Sequence, residues 1–138
     1  MQLTMTTDYA IRIVTYLATH QQTITTTELA HELKIPENYI PKVIKPLKNA
    51  DIISASEGIK GGYTLAKKAE KISLYDIVSC TEYTMAISRC LEKDGYCSGD
   101  YINCCKVYKI LLDLQNTYNN RLEDVKVSDI VQSGKDVF

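Results

Sequence analysis

Four of the five cysteines of this 138-residue chain fall within "CLEKDGYCSGDYINCC", Cys90 to Cys105. Six residues separate Cys90 from Cys97, six more separate Cys97 from Cys104, and Cys105 follows at once. Thiols so placed could staple the chain, hold a metal or an iron-sulfur cluster, switch with redox state, or reflect composition alone. A chain of this length buries enough surface for one domain, or a small domain with an arm, without staples. Its start, "MQLTMTTDYAIRIVTYLATHQQ", carries Asp8 and Arg12 inside a periodic segment and has no basic run before an apolar core. That reads neither as a signal peptide nor as a spanning helix, so the expected location is cytoplasmic, with no membrane partner. In a reducing compartment, clustered thiols serve metals or redox chemistry rather than structural bridges. Structural zinc is disfavoured by the absence of short paired spacings. On spacing alone, a metal site and a thiol switch stay level. Cys80, set apart near Val78, reads as a small buried packing residue.

The elements that must hold this segment are mainly helical, with one small β-hairpin. From Thr6 to about His20, Tyr9, Ala10, Ile13, Val14, Leu17 and Ala18 recur at helical spacing. In "TTTELAHELKI", Thr25 and Glu28 stand in capping-box spacing and Leu29 and Leu33 face inward. "PENYIPKVIKPLKNADII" predicts a third helix starting at Pro36, basic on its outer side and kinked by Pro41 and Pro46. Two β-prone runs, Ile52 to Ala55 and Tyr63 to Leu65, enclose Gly58, Gly61 and Gly62 and predict a hairpin with a glycine-rich tip. Ser73 caps "SLYDIVSCTEY", with Asp76 in the first turn and Leu74, Ile77 and Val78 inward. The cysteine segment contains Gly95, Gly99, Asp94, Asp100 and Asn103 and reads as a loop. From about Cys105 to Leu122 a stripe of Val107, Ile110, Leu111, Leu114, Tyr118 and Leu122 predicts a long amphipathic helix. In "VSDIVQ", Ser128 is expected to cap a last short helix, and "SGKDVF" is expected to fray.

Three short helices followed by a glycine-tipped hairpin is the order of a winged helix-turn-helix, whose second paired helix enters the major groove of double-stranded DNA. Net charge is −1, so any attraction to DNA must be local. Lys34 to Lys48 carries four lysines against one acid, Glu37. Candidate DNA contacts are Glu37, Asn38, Tyr39, Lys42 and Lys45 on the helix and Ser56, Lys60 and Gly61 on the wing. Lysines at such spacing also suit the solvated side of any helix. The hairpin directly behind them, and a long helix through which a homodimer could read two half-sites, favour the DNA reading. His20 and His31 read as surface residues, and Asp8 suits the first turn of a helix. The ten tyrosines suggest packing and groove contacts. No nucleophile stands with a base, so an enzyme is not expected.

"LTMTTDYAIR", "IPENYIPKVIKPLKNADII", "GGYTLAKKAEKISLYDIV" and "VKVSDIV" together resemble the IscR/NsrR type of bacterial transcription regulator, the Rrf-two family, over nearly the whole chain. The resemblance implies a homodimer of winged helix-turn-helix subunits with long crossed dimerisation helices. It divides the chain into a DNA-binding domain (1–80), a cysteine-rich cluster-binding region (81–104) and a dimerisation helix with tail (105–138). Cluster-binding members carry three cysteines ahead of that helix, usually with five residues between neighbours. Here Cys90, Cys97 and Cys104 stand in that region with gaps of six, and Cys105 is the reserve. Val107 occupies the position of the histidine ligand of the IscR type, and Arg12 that of a histidine ligand on the first helix in a further type. Asp8 matches the aspartate that completes the cluster from the partner subunit in the NsrR type. The resemblance thus implies an iron-sulfur cluster, 4Fe-4S in preference to 2Fe-2S, that senses nitric oxide, oxygen or iron-sulfur status and controls DNA binding. Glu57 stands where many members have an arginine that enters the minor groove. The alternatives are a cluster-free thiol sensor and a winged-helix module that binds a partner enzyme.

Overall fold

Threonine and serine hydroxyls start three of the helices. Thr4 accepts from the Thr7 amide at 3.3 Å and opens α1 (Met5–Thr19). Thr25 does the same for Glu28 at the head of α2 (Thr26–Leu33). Ser73 and Asp76 form a reciprocal capping box on α4 (Leu74–Thr81). Such caps satisfy backbone donors that have no partner within the helix. Residues 2–132 are described by the structure, a computed structural model. The expected frayed end "SGKDVF" lies outside them.

The third helix starts later than Pro36. Glu37–Tyr39 form a 3-10 turn, and α3 runs Ile40–Asn49. The shift puts Pro41 in the first helical turn, where an amide donor is not needed, and leaves Pro46 alone inside the helix. The chain then turns through Asp51 in the left-handed region (φ 53°) into strands β1 (Ile53–Ser56) and β2 (Gly62–Leu65), antiparallel with Ile53 opposite Leu65 and Ser56 opposite Gly62. Beyond α4, an irregular segment with one 3-10 turn at Arg89–Leu91 leads to α5 (Lys106–Asp124) and α6 (Val127–Gln132).

Ser128 does not cap α6. It is the helix's second residue and is buried, and the Asp129 carboxylate instead accepts from the Lys126 amide at 2.8 Å. Tertiary pairing sets this start: Val127 N donates to Ile72 O, Leu74 N donates to Val125 O, and Val127 is fully buried. The last helix therefore belongs to the core built from α1, α2, α3 and α4, with Ala10, Ile13, Val14, Leu29, Ile40, Leu47 and Ile77 at its centre.

Each large apolar side chain removed from water contributes about 1.5–3 kcal/mol, and α5 supplies none of the buried ones. Its single buried residue is Gln115, whereas Val107, Ile110 and Leu114 are 60%, 60% and 52% exposed. These three lie at i, i+3 and i+7, one continuous stripe on a helix about 28 Å long. No helix among the described residues is long and apolar enough to cross a membrane.

Candidate DNA interface and cysteine loop

The helix pair and the wing enclose a cleft of about 660 Å³ between α2, α3 and the hairpin. Lys45 and Lys48 enter it from α3, Thr25, Thr26 and Thr27 from the head of α2, and Ser56, Glu57 and Gly61 from the wing. Of the eight expected DNA contacts, Lys45, Ser56 and Gly61 are thus brought together. Lys42 lies exposed on the same helix, with its ammonium 5.0 Å from the centre of the Tyr39 ring. Lys60 is exposed at the tip of the wing.

The other three sit on the 3-10 turn. Asn38 is exposed. Glu37 accepts a 2.9 Å hydrogen bond from the Thr27 hydroxyl and so ties the turn to α2. Tyr39 faces α1: its ring meets Tyr9 edge-on at 5.6 Å and its hydroxyl shares a 3.1 Å hydrogen bond with Thr6. The α2 threonines and Lys48 were not among the expected contacts. The "TTT" run signals only a helix cap, and its position on the cleft depends on how α2 meets the wing.

The wing's glycines are set by backbone contact. A Cβ at Gly61 would stand 2.5 Å from Ser56 O, and one at Gly62 would stand 2.4 Å from Ile24 O. Gly62 also has φ +149°, and its neighbour Tyr63 exchanges backbone hydrogen bonds with Ile24. The hairpin is thereby held against the α1–α2 connection, at a defined distance from α3.

All five cysteines are free thiols. Burial pushes Cys80 up to about 11, and its sulfur donates to Ile77 O at 3.2 Å, as suits a packing residue. Cys90 is half-buried, with its sulfur 3.4 Å from the Ser88 hydroxyl. Backbone hydrogen bonds from Tyr101 and Gly99 pull the half-buried Cys97 thiol below its ordinary value. Cys104 is exposed, and its sulfur donates to Tyr101 O at 3.5 Å. Cys105 caps α5, accepting from the Tyr108 amide at 3.3 Å. The Arg89 guanidinium grips the Asp94 carboxylate with two hydrogen bonds and holds it down at about 2, closing the loop between Cys90 and Cys97.

Asp8 is half-exposed and forms a 2.6 Å ion pair with Arg12, one turn along the same helix. Among the described residues no three Cys, His, Asp or Glu side chains converge on one point within the single chain. The donor chemistry nevertheless fits an iron-sulfur cluster. Three free thiols, each at least partly accessible, lie on a segment with little regular structure, and thiolate sulfur is the ligand such clusters take.

The whole chain has recognisable relatives. The profile of the Rrf2 family, described as an iron-dependent transcriptional regulator, matches residues 3–133. A helix-turn-helix-type transcriptional regulator of Shouchella clausii, NsrR, is 29% identical over 140 residues, 99% of this chain and 93% of that protein. Among solved structures, CymR (YrzC), the global cysteine regulator of B. subtilis, superposes with a TM-score of 0.78 at 18% identity, covering 97% of this chain and 98% of that one. IscR of T. potens does so at 0.75 and 17% identity, covering 96% and 88%.

Proposed function

The chain belongs to the Rrf2 family of transcriptional regulators, and from that premise we propose that it is a homodimer whose DNA affinity is set by an iron-sulfur cluster on the cysteine loop. The observation that carries the DNA half is the cleft, where α3 and the wing present Lys45, Lys48 and glycine backbone together. Lys42 and Lys45 would contact phosphates, Asn38 and the α2 threonines the groove edges or backbone, and Ser56, Lys60 and Gly61 the strand beside the wing. Glu37 and Tyr39 would act by fixing the turn rather than by reading bases, since both are engaged within the protein. The exposed stripe of Val107, Ile110 and Leu114 supports pairing with a second copy along α5, which gives two recognition helices for two half-sites.

Cys90, Cys97 and Cys104 would hold the cluster, a 4Fe-4S in preference to a 2Fe-2S, with Asp8 of the second subunit as fourth ligand and Cys105 in reserve. When bound, such a cluster supplies reactivity toward nitric oxide and oxygen. Asp8 is also the ion-pair partner of Arg12, so ligation would share or compete for that carboxylate in the first turn of α1. The capping role of Cys105 supports its place as the spare thiol. Each of Cys90→Ser, Cys97→Ser and Cys104→Ser should therefore lose iron on anaerobic isolation, while Cys80→Ser keeps it, and Asp8→Asn should keep iron but lose it faster in air. Iron retained by all three cysteine variants would refute the assignment.

The depressed Cys97 thiol supports a second reading, in which the loop works without iron as a thiol sensor. It predicts that peroxide shifts the DNA affinity of iron-free protein and that thiol reductant reverses the shift.

A further inference from the structure

We infer that Glu82 is a positioning residue that couples the root of the cysteine loop to the recognition helix through the first turn of α1. This rests on the regulatory reading above but adds the residues that carry it, none of which is a cysteine or Asp8.

Glu82 ends α4 and begins the segment that leads to Cys90. Its Oε1 accepts from the Thr4 amide at 2.7 Å and from the Thr7 hydroxyl. Thr7 is fully buried, and its hydroxyl is also 2.9 Å from that of Thr81. Burial pushes the Glu82 carboxyl up, but the hydrogen bonds from Thr7 and Thr4 outweigh it and hold the group below its ordinary value. Thr4 is the residue that caps α1. One carboxylate therefore binds both the cap and the inner face of the first turn of α1.

The next residue but one carries the contact onward. The Thr6 hydroxyl bonds Tyr39 at 3.1 Å, and Tyr9 packs edge-on against the same ring. Tyr39 is the residue immediately ahead of α3 and stands under the Lys42 ammonium. From Ala10 onward α1 is locked in the core, with Ala10, Ile13 and Val14 fully buried. Gln2, Leu3, Thr4 and Met5 are exposed. Apart from Thr7, the first turn of α1 lies outside the core, and it is the part held by Glu82 at one side and Tyr39 at the other.

A second anchor fixes the loop root on its far side. The Gln115 amide of α5 accepts from Ile87 N at 2.7 Å and donates to Met85 O at 2.9 Å. Residues 82–87 are thereby stretched between α1 and α5, three residues short of Cys90. On its α4 side the loop is tied to the rest of the fold through Glu82 and Gln115, and at its other end it runs directly into α5 through the Cys105 cap.

Hydrogen exchange of the reduced, iron-free, full-length protein tests this independently of whether a cluster binds. In Glu82→Gln, exchange should rise by about fivefold, what one net hydrogen bond is worth, in peptides covering both 2–9 and 36–42, with 26–33 unchanged. Tyr39→Phe should raise 36–42 without raising 81–87. The double variant should exchange no faster at 36–42 than Tyr39→Phe alone. Alkylating the loop thiols with iodoacetamide should raise exchange at 36–42 in the wild type and leave Glu82→Gln unmoved. A purely structural Glu82 would loosen 2–9 and 81–84 only. An unchanged 36–42 segment in Glu82→Gln, additive effects in the double variant, or equal or absent responses to alkylation would overturn the coupling.

Discussion

Replacing Ile110 and Leu114 together with aspartate is expected to give folded monomers that bind operator DNA about a hundredfold or more weakly, the scale on which linking two binding modules raises affinity. The expectation rests on an asymmetry in α5. Its stripe of Val107, Ile110 and Leu114 is more than half exposed, and the only residue it buries is Gln115. Charges placed on the stripe remove nothing from the core around Ile13, Leu29 and Ile77, so circular dichroism and melting temperature should change little. Two carboxylates on each copy would instead face those of the other across an apolar contact, which cannot desolvate them. Sedimentation should show the mass of one chain. A dimer that survives both substitutions would show that the subunits meet elsewhere.

The second large effect is expected from the recognition helix. Lys42→Ala with Lys45→Ala should weaken binding about tenfold for each lysine, the worth of one charge-assisted hydrogen bond. The loss should be nearly the same for cognate and unrelated sequences, because phosphate contacts carry no base information. The slope of affinity against salt should fall by about 0.9 for each phosphate contact removed. Glu57→Gln should move affinity the other way, since Glu57 lines the same cleft as Lys45 and Lys48 and repels phosphate. A sequence-dependent loss in the lysine variant would mean that these side chains read bases.

Most of the helical frame was legible because its signals are local. Thr25 and Ser73 announced their helices through cap chemistry, and the glycines at 58, 61 and 62 announced the wing. Two starts were misread for physical reasons that lie outside their own segments. Pro36 looks like a first-turn proline, yet a helix from there would bury Pro41 in its interior, and the chain avoids that cost with a 3-10 turn and a start at Ile40. Ser128 has the chemistry of a cap, but pairing of residues 125–127 with 72–74 starts the helix at Val127. The site divided in the same way. The basic helix and wing could be read in order along the chain, whereas the Glu82 and Gln115 contacts span 78 and 28 residues. Gln115 is a polar residue beside an apolar stripe, and nothing local to it signals that it is buried against Met85 and Ile87. Nothing in the sequence pattern around Glu82 distinguishes a carboxylate that holds another helix from one that faces water. The partners of Tyr39 were equally hidden, since Thr6 and Tyr9 are on α1.

The proposed cluster on the cysteine loop would set DNA affinity through its state. This is tested most directly on anaerobically isolated protein, by counting iron and acid-labile sulfide and then measuring affinity for operator DNA before and after nitric oxide. The expected result is about four irons and four sulfides per subunit, a brown protein whose visible absorption changes with nitric oxide, and an accompanying change in affinity of about tenfold or more, within the usual range of allosteric coupling. A colourless protein that takes up no iron on anaerobic reconstitution, or an affinity that nitric oxide leaves unchanged, would contradict it.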